Sequence, residues 1–146
     1  MLTENNFMEY KDLVTPQWLA GFFDGEGCIC CSLNSDGNVS LRVQISQKNV
    51  FPLLLIMAKY GGNLVQATYN KKGNKTLGHH VVWRGVAVIP MLELIKDFVI
   101  VKKDSVLAGL ELAKLLGNGT SRELKYAARD KIVAINAANR DSLKIS

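Results

Sequence analysis

No carboxylate interrupts residues 37–92, although Arg42, Lys48, Lys59, Lys71, Lys72, Lys75 and Arg84 all fall there. The 146-residue chain carries 18 basic and 13 acidic residues, a net charge of +5, and this stretch concentrates the excess. A basic surface of that kind argues against a polycationic partner and for a polyanion, most often nucleic acid. Long apolar runs are missing as well: none approaches the ~18 residues of a membrane span. The opening MLTENNFMEYKDLV has neither an apolar signal core nor an arginine, which speaks against secretory and transit peptides. The expectation is a protein kept in a reducing intracellular compartment, the cytoplasm of a prokaryote or an organelle whose genome encodes it, not secreted and without a membrane partner. Zinc-knuckle spacing is absent too. Cys28, Cys30 and Cys31 crowd together with no paired Cys-x-x-Cys and no histidine nearby. Along a strand Cys28 and Cys30 share one side and Cys31 takes the other; reduced thiols serving as small hydrophobes account for all three. No linker or low-complexity stretch divides the chain, so 1–146 reads as one domain.

What is present is periodic. Thr15 before Pro16 reads as the N-cap and first residue of a helix running through Phe23. It is expected to stop at Asp24-Gly25-Glu26-Gly27, where glycines free the backbone. A strand over 28–33, a turn over 34–38 and a strictly alternating strand follow, with Val39, Leu41, Val43 and Ile45 on one face and Ser40, Arg42, Gln44 and Ser46 on the other. Asn49 caps an apolar helix over 50–60 that Gly61-Gly62 ends. A second hairpin is read as 64–70, a turn over 71–75, and 77–84. Helices over 86–97 and 103–116 come next, Pro90 falling in the first turn of the former. Thr120 and Glu123 then supply a capping box for a last helix to about residue 138. The order αββαββα plus C-terminal helices predicts an α+β fold: one four-stranded antiparallel sheet with helices on one face. Its other face, polar and twisted, suits a DNA major groove.

Leu19-Ala20-Gly21-Phe22-Phe23-Asp24-Gly25-Glu26-Gly27 resembles, at all nine positions, the signature of the LAGLIDADG homing endonucleases. Physical chemistry is consistent with that likeness. Ala20 and Gly21 strip bulk from a helix so that another can approach. The helix ends in partial negative charge, to which Asp24 and Glu26 add formal charge; such a site turns productive once hard divalent cations bridge carboxylate and phosphodiester. The resemblance implies a site-specific double-stranded DNA endonuclease, usually encoded in a mobile intron or intein, that hydrolyses both strands to staggered ends. Intron RNA maturase or non-cleaving DNA binding on the same scaffold is the alternative. It further implies Mg²⁺ as cofactor, with Mn²⁺ substituting and Ca²⁺ supporting binding alone. Glu26 becomes the metal ligand, helped by a backbone carbonyl near Gly25, and Asp24 is structural or peripheral. Gln47 matches a polar residue beside the attacking water, and Lys102 a lysine near the scissile phosphate. Some relatives carry an arginine where this chain has Phe51, leaving Lys48 as the substitute cation.

The signature occurs once; Leu107 to Ala113 imitates its start but lacks the terminal acid-glycine pair. Cutting two strands then calls for a homodimer across the signature helices, through Trp18, Ala20, Gly21, Phe22 and Asp24. Strand parity assigns the contacts to double-stranded DNA. Ser32, Asn34, Ser40, Arg42 and Gln44 come from the first hairpin, Gln66, Thr68, Asn70, Lys71, Lys72 and Lys75 from the second. In the return strand either His79, Val81 and Trp83 or His80, Val82 and Arg84 face DNA; alignment to relatives favours His79. Asn136, Asn139 and Arg140 end the last helix, where relatives meet the backbone.

Overall fold

In chain order the elements are α1 Glu4–Leu13, α2 Pro16–Glu26, β1 Gly27–Leu33, β2 Val39–Gln47, α3 Val50–Tyr60, β3 Asn63–Lys71, β4 Asn74–Arg84, a 3₁₀ turn Gly85–Ala87, α4 Val88–Ile95, α5 Lys103–Leu116 and α6 Arg122–Ser142. The computed structural model describes residues 4–117 and 119–142; of 4–6, 69–71, 74–77 and 141–142 only the backbone is described. The strands form one antiparallel sheet in the order β1-β2-β4-β3.

The alternation in β2 sets the layers. Val39, Leu41, Val43 and Ile45 are buried while Ser40 and Arg42 are exposed. Register extends this parity to the neighbouring strands: Ile29 pairs with Val43, and Val81 and Trp83 pair with Ile45 and Val43, all toward the helices. α2, α3 and α5 close over that side with Leu19, Phe23, Leu53, Ile56 and Leu112 fully buried. Thr15 caps α2 as expected, its Oγ1 accepting from the Trp18 amide at 3.1 Å. Asn49 caps α3 through the Phe51 amide at 3.1 Å.

Several boundaries differ from the sequence reading. α2 does not stop at Asp24; it continues through Gly25 to Glu26 because the Gly27 amide still reaches the Phe23 carbonyl. Glycine is required at 27, since a Cβ there would sit 2.2 Å from the Phe23 ring. The second turn is only Lys72-Gly73, with φ of 54° and 81°. α6 opens at Arg122, which leaves Thr120 outside the helix edge and removes the expected capping box. α1 was not foreseen. It packs on α3 through Phe7 and Tyr10, each edge-on to Phe51 at 6.3 and 5.8 Å between centroids.

α6 lies along β1, the sheet's edge strand. Asn136 donates to the Ile29 carbonyl at 2.9 Å, and Cys31 Sγ donates to the Arg129 carbonyl at 3.6 Å. Tyr126 donates to the Gly37 carbonyl at 2.8 Å and Arg122 to the Asp36 carbonyl at 3.3 Å. An edge covered in this way offers little backbone for strand addition.

Candidate nucleic-acid interface and catalytic centre

β1 starts at Gly27 directly opposite Ile45. Glu26, the exposed last residue of α2, therefore enters the sheet level with the C-terminal end of β2, where Ser46 and Gln47 stand. Asp24 is half-buried and accepts two backbone amides from the segment between α4 and α5, Ile100 at 2.8 Å and Lys102 at 3.0 Å. This clamp delivers the Lys102 ammonium to the helix end, where it donates to the carbonyls of Phe23 at 3.2 Å and Asp24 at 3.0 Å. Those carbonyls belong to the last turn of α2, the negative end of its dipole. Burial draws Lys102 below its ordinary pKa, while Cys28, Asp24 and Glu26 pull it the other way. Gln47 is half-buried at the end of β2 and turns its Oε1 to the amide of exposed Lys48 at 2.9 Å.

The donors at this point suit a hard cation. Among the described residues no three His, Cys, Asp or Glu side chains gather into a metal cage. Glu26 offers one carboxylate, and the Gly25 carbonyl, in a turn with no helical residue beyond to receive it, offers a second oxygen. Magnesium characteristically takes one or two protein oxygens and keeps water and phosphate in its remaining positions.

The sheet face away from the helices carries Cys28, Cys30 and Ser32 on β1, Ser40, Arg42, Gln44 and Ser46 on β2, and His80, Val82 and Arg84 on β4. Arg42 stands between Cys30 and Arg84, each directly opposite it. Ser32 and Ser40 share a hydrogen bond of 2.6 Å, and the Asn34 side-chain Oδ1 accepts a long one, 3.5 Å, from Ser40. Ser46 Oγ and His80 Nδ1 lie 2.5 Å apart. Burial first, then Arg42 and His79, holds His80 below the ordinary imidazole value.

Register corrects part of the sequence assignment. His80, Val82 and Arg84 share the face of Arg42; His79 belongs to the face of Val81, its Nδ1 buried and without a partner. Gln66 and Thr68, opposite His79 and Leu77, also take that other parity, whereas Asn63, Val65 and Ala67 line up with Val82, His80 and Gly78. A one-residue difference in parity moves every side chain of a strand to the other face. Asn70, Lys71 and Lys75 lie outside the described side chains; Lys72 is exposed at the hairpin tip. Asn136 is turned to the Ile29 carbonyl, while Asn139 and Arg140 are exposed near the end of α6. Arg84 comes with His80 and Val82, the set that the alignment to relatives did not favour, and the β2–β4 register decides between the two.

The signature helix divides its expected interface residues. Ala20 is fully buried inside the protomer and Asp24 is held by its amides, so neither belongs to an open face. Gly21 and Gly25 are exposed, with nothing within 4 Å of an added Cβ, and Trp18 stacks on Phe22 at 4.9 Å beside them. Ile100 and Val101, 83% and 72% exposed, continue this apolar surface from the neighbouring segment. Among the described residues no helix is long and apolar enough to cross a membrane.

Among curated proteins nothing matches the chain at a significant level. Solved structures do. The homing endonuclease I-CvuI, in complex with its target in the presence of calcium, matches with a TM-score of 0.68 at 22% identity over 86% of this chain and 83% of that one. A second I-CvuI complex was obtained with magnesium and the DNA not cleaved. The archaeal intron-encoded homing endonuclease I-Vdi141I, complexed with DNA, matches with a TM-score of 0.63 at 21% identity over 85% of each chain. I-SmaMI, bound to an uncleaved DNA target with calcium ions, matches with a TM-score of 0.59 at 21% identity; the alignment covers 87% of this chain and 45% of that longer one. These identities establish a shared fold. The LAGLIDADG endonuclease family itself matches residues 19–87, from the first residue of the signature to the 3₁₀ turn. With the complete signature at the head of that match and the four-stranded fold around it, residues 19–87 are similar to the LAGLIDADG endonuclease family.

Proposed function

We propose that this chain is a homodimeric, divalent-metal-dependent endonuclease that lays its sheet in a DNA major groove and hydrolyses both strands of a long pseudo-palindromic site, leaving staggered ends. The observation that carries the reading is the Lys102 ammonium on the last carbonyls of the signature helix, beside the exposed Glu26. A cation and an acid at one helix end, next to a sheet face bearing Arg42 and Arg84, fit a phosphodiester better than any neutral substrate. The bound cation would supply Lewis acidity and a water acidified for attack. Glu26 and the Gly25 carbonyl hold it, and Gln47 orders solvent at the end of β2. Lys102 meets the charge that develops on the phosphoryl oxygens, its position fixed by the Asp24 clamp. Arg42, Gln44 and Arg84 read base edges, Ser32, Asn34 and Ser40 make direct or water-bridged contacts, and Lys48 and Lys72 hold phosphates. The calcium and magnesium in the I-CvuI complexes support a divalent requirement.

One acid site cuts one strand, so a second copy supplies the other. The open Gly21–Gly25 stripe, flanked by Trp18 and Phe22, suits close approach of an identical helix about a two-fold axis. That the chain spans less than half of I-SmaMI agrees with two copies doing the work of one longer chain.

The test is cleavage of a randomised duplex library in magnesium, with sequencing of the cut ends. Wild type is expected to enrich one two-fold-related site. Glu26→Gln should lose cleavage by at least about 10²-fold while still binding the enriched duplex in calcium. Gly21→Glu should run as an inactive monomer in light scattering, through clash and buried charge. An uncut library would overturn the endonuclease reading, and a wild-type monomer that makes double-strand breaks would overturn the dimer.

A further inference from the structure

Two of the three thiols do not behave as core hydrophobes. Cys28 and Cys30 both point to the sheet face of Arg42, where each is half-buried and free, with their sulfurs 3.2 Å apart. Cys31 faces the core and is turned to the Arg129 carbonyl, so it does not compete for either partner. β1 is an edge strand with a ladder on one side only, its other side held by α6 through the Ile29 carbonyl. Two strand steps separate Cα atoms by about 6.4–6.8 Å, at the upper end of the range that a disulfide spans. A bridge made there is strained, and strained disulfides are the readily reduced, regulatory kind.

We propose that Cys28 and Cys30 form a reversible dithiol–disulfide site oxidised by peroxides, and that closing it weakens duplex binding; the second half rests on the assignment of this face to DNA. In the first step the Cys30 thiolate attacks one peroxide oxygen, the O–O bond breaks, and hydroxide leaves as Cys30 becomes a sulfenic acid. Cys28 then gives up its proton and attacks the Cys30 sulfur; the S–O bond breaks and a second hydroxide leaves. The two thiols lose two electrons and two protons, and hydrogen peroxide becomes two waters. A dithiol reductant reverses the change. The shared hydrogen bond with Cys28, then the Arg42 guanidinium, lowers the Cys30 thiol to about 6 against burial, which suits it as the attacking group. Closure shortens the sulfur separation to about 2.05 Å, pinches β1 between Glu26 and Ser32, and takes the Cys30 sulfur away from Arg42. The edge of the recognition face then no longer keeps its shape.

The experiment uses the full chain and hydrogen peroxide. Intact-protein mass spectrometry should show the loss of two hydrogen atoms, restored by dithiothreitol, in wild type and in Cys31→Ser, but not in Cys28→Ser or Cys30→Ser. In parallel, a random-sequence duplex at low salt should bind the oxidised protein about tenfold more weakly, recover on reduction, and bind Cys28→Ser equally before and after peroxide. No loss of hydrogen, or a loss that persists in Cys28→Ser, would overturn the dithiol. Unchanged duplex affinity in the oxidised wild type would overturn its coupling to binding. Reduced protein that ignores the duplex while the two hydrogens are still lost would instead overturn the assignment of the face.

Discussion

The two hairpins are built alike and behave differently. In the β1–β2 hairpin one face is sealed by helices, Val43 and Ile45 being fully buried, and its tip is bound to α6 through Tyr126 and Arg122. In the other hairpin β4 is buried through Val81 and Trp83, but on its edge strand β3 Leu64 and Val65 lie on opposite faces yet are 39% and 37% exposed. Where one face is buried, a slip of one residue is penalised along the whole strand. Where neither is, the sequence leaves parity weakly specified. Alternation was therefore a sound guide to Arg42 and Gln44 and a poor one to Gln66 and Thr68.

That contrast is sharpened most strongly by core truncation. Ile45→Ala should cost roughly 2–5 kcal/mol in denaturant unfolding, whereas Leu64→Ala, of the same parity in the other hairpin, should cost less than about 1 kcal/mol. Equal losses would show that both hairpins are anchored alike. The faces themselves are next. Arg42→Ala should weaken binding of the enriched duplex by about tenfold, within the ~1–3 kcal/mol of a base-edge contact, while Gln66→Ala leaves it unchanged in a gel shift. The reverse order would restore the parity read from sequence.

How far the sequence could be read follows the same line. Thr15, Asn49 and the β2 alternation announce themselves because each acts through neighbours in the chain. Glu26 and Lys102 were singled out through the resemblance to the family signature, since no local pattern marks them. The clamp between Asp24 and the amides of Ile100 and Lys102, the pairing of Arg84 with Arg42, and the use of Asn136 on Ile29 depend on register and on distant packing. Local pattern carries no record of those. α1 escaped notice because its contribution is two aromatic edges against Phe51, which become visible only once α3 is in place.

Smaller effects separate the two tips. Tyr126→Phe removes the hydrogen bond to Gly37 and should cost about 0.5–1.5 kcal/mol. Lys72→Asn should instead raise stability by roughly 0.5 kcal/mol, since asparagine accepts the positive φ of that turn more readily than lysine. Thermal unfolding of the two variants checks both signs. The smallest effect is one of acidity. The Asn38 amide, then its side chain, holds the Asp36 carboxyl below the usual 3.8. Its contribution is therefore present above that value and fades as pH falls through the depressed pKa. Amide exchange at Asn38 should quicken in that acid range while exchange at Asn74, beside a turn with no carboxylate, follows only the intrinsic trend.

The clamp that seats Lys102 joins positions 78 residues apart. During synthesis, a chain finished only through α3 already possesses Glu26 but neither the lysine nor the amides that hold Asp24 in place. The proposed site is complete only after both hairpins and α4 have been made. On the proposed reading, a copy that stops short of Lys102 lacks the cation that sits on the last carbonyls of the signature helix.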